Sequence, residues 1–91
     1  MRRDVFQAIA DPTRREILAL LVRQSLTLNG VAAKFEISRP AVSKQIRILS
    51  ECGLVTIRQA GRERYCIANV AKLQKVYEWV EKFSIFWSAA E

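Results

Sequence analysis

Apolar residues near the start of the chain fall at Val5, Phe6 and Ile9, the spacing of one face of a short helix over residues 3–10. Asp11-Pro12 ends it, because the residue before a proline is pushed out of helical geometry. Asp11 then caps a second helix, with Pro12 in the first turn where its missing N–H costs nothing, and Ile17, Leu18, Leu21 and Val22 form the apolar stripe. Ser25 to Leu28 alternates polar and apolar, enough for one short strand, and Asn29 caps a third helix that turns Val31, Ala32 and Phe35 inward. Glu36-Ile37 is a tight connection. Ser38 caps a fourth helix with Pro40 in its first turn, and Gly53 closes it in the usual place for a left-handed residue.

The fourth helix has two unlike sides. Val42, Ile46 and Leu49 share one face within about 60° and make the buried side. Opposite them stand Pro40, Ser43, Lys44 and Arg47, flanked by Arg39 and Ala41, with no carboxylate until Glu51. A helix, a brief turn and a second capped helix form the helix-turn-helix pattern, and this helix is built like its recognition element. It is slender, offers donors for base edges and phosphates, and carries no negative charge at the entering end.

Residues Leu54 to Ile67 read as a hairpin: Val55 and Ile57 alternate with Thr56 and Arg58, a turn falls at Ala60-Gly61, and Glu63, Tyr65 and Ile67 alternate with Arg62, Arg64 and Cys66. If the apolar set covers the helices, Arg58, Arg62 and Arg64 are left near the tip and outer face. That arrangement is a wing, aimed at phosphates or an adjacent minor groove. Beyond Val70 there is neither Gly nor Pro, and Leu73, Val76, Tyr77, Val80, Phe83 and Trp87 share one side of a final helix over residues 70–89, widened by Trp79 and Phe86. Five of the eight aromatic residues lie in the last fifteen positions, more than so small a protein can cover within one protomer. The expected interface of a two-fold dimer therefore comprises Val5, Phe6, Ile9, Val76, Trp79, Val80, Phe83, Phe86 and Trp87.

Charge sharpens this division. The 91 residues carry a net charge of +6, and the segments 1–37, 38–64 and 65–91 contribute +2, +4 and 0. The excess thus centres on the fourth helix and the hairpin, which points to nucleic acid as the partner. With 51% hydrophobic residues and this length, one domain over residues 1–91 is expected. The chain has no His, no nucleophile beside a base and no Gly-rich phosphate loop, so neither an enzyme nor a cofactor is expected. No apolar run reaches the roughly 20 residues of a membrane span or resembles a signal peptide, and a cytoplasmic location is the expectation.

Asp11-Pro12-Thr13-Arg14-Arg15-Glu16-Ile17-Leu18, the run Phe35 to Leu49 containing Ser38-Arg39-Pro40-Ala41-Val42-Ser43-Lys44, and Gly53-Leu54-Val55 together resemble the ArsR/SmtB-type family of bacterial winged helix-turn-helix repressors. The resemblance covers nearly the whole chain. It implies a mainly helical fold with a small β-hairpin wing in the order α1-α2-α3-α4-β-β-α5, a homodimer, and repression by occupying a palindromic operator in double-stranded DNA. By position it assigns DNA contacts to Ser38, Arg39, Ser43, Lys44, Gln45 and Arg47, with Arg62 and its neighbours in the wing; Pro40, Arg58 and Arg64 complete the candidate surface. Gln45 stands where the family often has His, and it can pair with adenine although it lies nearer the buried edge of the helix.

Metal-sensing members resemble one another in a Cys-x-Cys pair at the start of the third helix, where this chain has Thr27 and Asn29. Neither supplies a thiolate, and the His ligands that other members carry on the last helix are missing, so the resemblance places the chain in a branch without the usual metal sites and with its effector unassigned. Two other readings are open at this point. The aromatic C-terminal helix could dock on another protein, or Cys52 and Cys66 could form a thiol switch in which Arg64 or a neighbour favours thiolate and oxidation alters DNA binding.

Overall fold

The structure, a computed structural model, describes residues 4–88. The elements follow in the order α1 (Val5–Ala8), α2 (Pro12–Arg23), β1 (Leu26–Thr27), α3 (Leu28–Phe35), α4 (Arg39–Glu51), β2 (Val55–Ala60), β3 (Glu63–Ala68), a 3-10 turn (Val70–Leu73), α5 (Gln74–Glu81) and α6 (Ser84–Ser88). This is the expected winged helix-turn-helix order, with differences at several ends.

Helix α1 is shorter than the predicted 3–10 span, of which Arg3 lies outside the described residues. Its start is fixed by a capping box: the Gln7 N–H donates to the Asp4 carboxylate at 2.9 Å, and the Asp4 N–H donates to the Gln7 side chain at 3.1 Å. Helix α2 begins as predicted, with the Asp11 carboxylate accepting from the Arg14 N–H at 3.1 Å. Its inward residues are Ile17, Leu18 and Leu21, whereas Val22, expected in the stripe, is 56% exposed. Thr27, not Asn29, caps α3, its hydroxyl accepting from the Gly30 N–H at 3.0 Å. The helix starts two residues earlier than expected because β1 pairs with β3 and ends at Thr27.

Three residues, Glu36 to Ser38, join α3 to α4. Glu36 adopts left-handed geometry at φ 53°, and its N–H returns to the Ala32 carbonyl. The Ser38 hydroxyl accepts from the Ala41 N–H at 3.2 Å and starts α4. At the other end the chain reverses through Gly53 at φ 77°, and the Leu54 N–H donates to the Leu49 carbonyl at 2.9 Å. The core lies between these helices and the sheet, built from Ile17, Leu18 and Leu21 of α2, Val31 of α3, Val42, Ile46 and Leu49 of α4, and Leu54, Val55 and Cys66 around the hairpin. Full burial of each aliphatic chain contributes about 1.5–3 kcal/mol.

The sheet is antiparallel in the order β1-β3-β2. The β2–β3 turn is Gly61-Arg62, one residue later than predicted, with Ala60 paired to Glu63. Gly61 has φ 63° at the first linking position, where a II′ hairpin requires glycine. A two-residue loop always sets odd positions opposite even ones here, so Ile57 pairs with Cys66, and Val55 with Ala68. The core-facing side is therefore Val55, Ile57, Cys66 and Ala68, not the predicted combination with Tyr65 and Ile67. Cys66, placed by the sequence pattern away from the core, is fully buried.

The predicted continuous helix over 70–89 is three pieces, and its final residue lies outside the described region. Asn69 caps the 3-10 turn by accepting from the Ala71 N–H at 3.3 Å. Between α5 and α6 the helical ladder tightens: the Lys82 N–H returns to Trp79 and the Phe83 N–H to Val80, both i to i−3. Leu73 and Val76 pack on the core, while Tyr77, expected on the same stripe, faces outward and donates its hydroxyl to Glu81 at 2.9 Å.

Candidate nucleic-acid interface

The turn between α3 and α4 and the cap at Ser38 leave the outer face of α4 projecting, with Arg39, Pro40, Ser43, Lys44 and Arg47 all exposed. Hairpin parity decides what stands beside it. Arg64 shares a face with Cys66 and Gln59, beyond the part of that face which packs on the core, and so it reaches toward α4. There it joins Ser43, Ile46, Arg47, Ser50 and Ile57 around a shallow cleft of about 420 Å³ between helix and wing, whose carboxylate is Glu51. A second hollow of about 300 Å³ brings Arg39, Arg62 and Arg64 together beside Asn29 and Thr27, with Glu63 at its rim. Two helix residues and two wing residues, all arginine, thus line one continuous surface, suited to a polyanion.

Arg58 stands apart. Its pairing partner is Tyr65, which puts it on the ribbon face away from α4, opposite to Arg64. Gln45 also departs from the exposed set: it is half-buried toward α2, and its side-chain oxygen accepts from Arg14 at 3.0 Å. Arg39 is held by donating to the Asn29 side chain. Sequence reasoning missed these orienting groups, Arg14 and Asn29, because each acts across elements.

The sequence profile of bacterial regulatory proteins of the arsR family matches residues 11–56, which is α2 through the start of β2. The transcriptional repressor SdpR of Bacillus subtilis (strain 168) is 36% identical over 80 residues, covering 88% of this chain and 89% of that protein. The chain belongs to the arsR family. It is a winged helix-turn-helix, DNA-binding transcriptional regulator. Among solved structures, an ArsR-like transcriptional regulator from Rhodococcus sp. RHA1 superposes with a TM-score of 0.81 at 35% identity, covering 94% of this chain and 79% of that one. The homodimeric winged helix-turn-helix DNA-binding domain of Mb0332 from Mycobacterium bovis gives 0.72 at 26% identity, covering 87% and 76%.

In this arsR-family protein the ring of Phe6 on α1 meets Trp79 of α5 edge-on at 6.1 Å, and Trp79 meets Phe83 at 5.1 Å. Phe6, Trp79, Phe83, Phe86 and Trp87 are all exposed, as is Ile85, which the sequence reading did not single out. Val5 is a correction: at 6% exposure it belongs to the protomer's own core and has almost no surface left to bury. Ile9 and Val76 also pack against that core.

The thiol reading fares poorly in this arsR-family regulator. Burial pushes the Cys66 thiol up, outweighing the opposite pull of Arg64 and Arg39, so thiolate is disfavoured where the switch needed it. Cys52 is buried too, its Sγ donating to the Asp4 carbonyl at 3.2 Å. At the positions matching the Cys-x-Cys pair, Thr27 caps a helix and Asn29 holds Arg39. Among the described residues no helix is long and apolar enough to cross a membrane.

Proposed function

We propose that this regulator is a repressor that binds a two-fold symmetric operator as a homodimer, with regulation by a route other than the family's usual metal sites. The observation that carries the reading is the convergence of Arg39 and Arg47 from α4 with Arg62 and Arg64 from the wing on one surface. In this reading α4 enters the major groove with Ser43, Lys44 and Arg47 toward base edges. Ser38 and Arg39 at its first turn, and Arg62 and Arg64 in the wing, hold the flanking phosphates; Pro40 keeps the entering end slim. Repression is supported by the name of the Bacillus subtilis relative, and self-association by the homodimeric Mycobacterium bovis neighbour together with the uncovered aromatic face.

Selection of bound duplexes from a random library tests this. The expected outcome is an inverted repeat whose half-sites are about one helical turn apart or a multiple of it. Recovery of sequences with no symmetry, or a log-log salt dependence flatter than the roughly 0.9 per phosphate expected of several contacts, overturns the proposal.

A further inference from the structure

The Arg14 guanidinium joins two helices. Its Nε donates to the Ala8 carbonyl at 2.7 Å, its Nη2 to the Gln7 carbonyl at 3.1 Å, and its Nη1 to the Gln45 side-chain oxygen at 3.0 Å. The first two acceptors are carbonyls in the last turn of α1, that of Gln7 also accepting from the Ala10 N–H at 3.2 Å; the third is on α4. Arg15 reinforces the same end, donating to the carbonyls of Ile9 at 2.8 Å and Ala10 at 3.3 Å. A guanidinium presents its N–H groups in a planar, rigid fork, so the three acceptors are held in one fixed relation. A lysine in its place is a point donor on a flexible stem and does not reproduce the fork.

Helix α1 is in turn attached to the aromatic face, since Phe6 packs on Trp79 of α5. A contiguous path therefore runs from α5 through α1 and Arg14 to Gln45. On α4, Gln45 lies about 160° around the helix from Arg47, at roughly 100° per residue. Its oxygen, one half of the bidentate pair that reads adenine, already accepts from Arg14.

We infer that Arg14 and Gln45 are positioning residues that set the seating of α4 against the α1–α5 layer, and that Gln45 reads no base. This rests on α4 being the helix that enters the groove. In a dimer joined through the α1–α5 side, that seating also sets the separation of the two α4 helices, and with it the fit to two half-sites.

The test is duplex selection, followed by titration of the selected duplex, on wild type, Gln45→Ala, Arg14→Lys and the double variant. Gln45→Ala is expected to select the wild-type sequence and bind it about threefold or more weakly, and to cause no further loss in the Arg14→Lys background, the coupling expected within one hydrogen-bond network. A changed base at one position of the set selected by Gln45→Ala overturns the inference, as does unaltered affinity or an equal loss with and without Arg14. Gln45→Leu keeps the bulk without the acceptor and leaves the Arg14 bonds to α1 in place, so the question is decided even where Arg14 variants fail to fold. Arg47→Ala separates the two levels of the argument. A changed base there beside an unchanged set for Gln45→Ala supports the clamp; sets unchanged for Gln45→Ala and for Arg47→Ala, Ser43→Ala and Lys44→Ala alike remove α4 as the reader, and the clamp with it.

Discussion

Glu36 holds a left-handed backbone at φ 53° with a side chain that adds strain, a conformation costing a residue with a Cβ about 1–2 kcal/mol. Its carboxylate also sits at the C-terminal end of α3, where the helix dipole disfavours negative charge. Glu36→Gly is therefore expected to stabilise the protein by about 0.5–1 kcal/mol in urea unfolding, after the greater freedom of glycine in the unfolded chain is subtracted; a lower midpoint would contradict this. Cys66 behaves oppositely to an activated thiol. Because its folded pKa is raised, the folded state keeps a proton that the unfolded chain releases, so its contribution is full below the ordinary thiol value of about 9 and falls as pH rises through that region. Urea midpoints measured from pH 7 to 10 should drop more steeply in wild type than in Cys66→Ala. Caps such as Asp11 and Ser38 were legible in the sequence because they act within three residues. The Thr27 cap spans the same three residues, but the choice of Thr27 over Asn29 depends on where β1 ends, which its pairing with residue 65 sets.

At the scale of elements, the wing shows how one covalent detail decides a surface. Which residues form the strands was plain from alternation, but the partner face depended on loop parity, and parity put Arg64 beside α4 and Arg58 behind the ribbon. Arg64→Ala is therefore expected to weaken DNA binding for all sequences alike and to reduce the salt slope by about 1, while Arg58→Ala changes both less. Equal effects in titrations at several salt concentrations would refute this assignment of faces. The C-terminal segment teaches the converse. With no Gly or Pro to mark it, the break near Lys82 and Phe83 was invisible to periodicity, and it coincides with a turn at which Phe83 meets Trp79 edge-on.

For the whole molecule, the Cα radius of gyration is 14.9 Å, against about 12 Å for a compact chain of this length, and the longest axis is 51 Å. The aromatic face is consistent with a partner: Ile85 and Phe86 are 69% and 76% exposed. Phe86→Glu is expected to leave the protomer folded by circular dichroism while lowering the sedimentation mass from dimer toward monomer and weakening operator binding. A monomeric wild type at micromolar concentration would contradict the dimer. The sequence by itself determined the helix-turn-helix, the basic centre and the aromatic end, because helical periodicity, caps and net charge are properties of near neighbours along the chain. Tertiary structure alone decided that Val5 belongs inward, that Arg64 joins α4, and that Gln45 is held by Arg14, because each of these depends on which distant residues meet across the core.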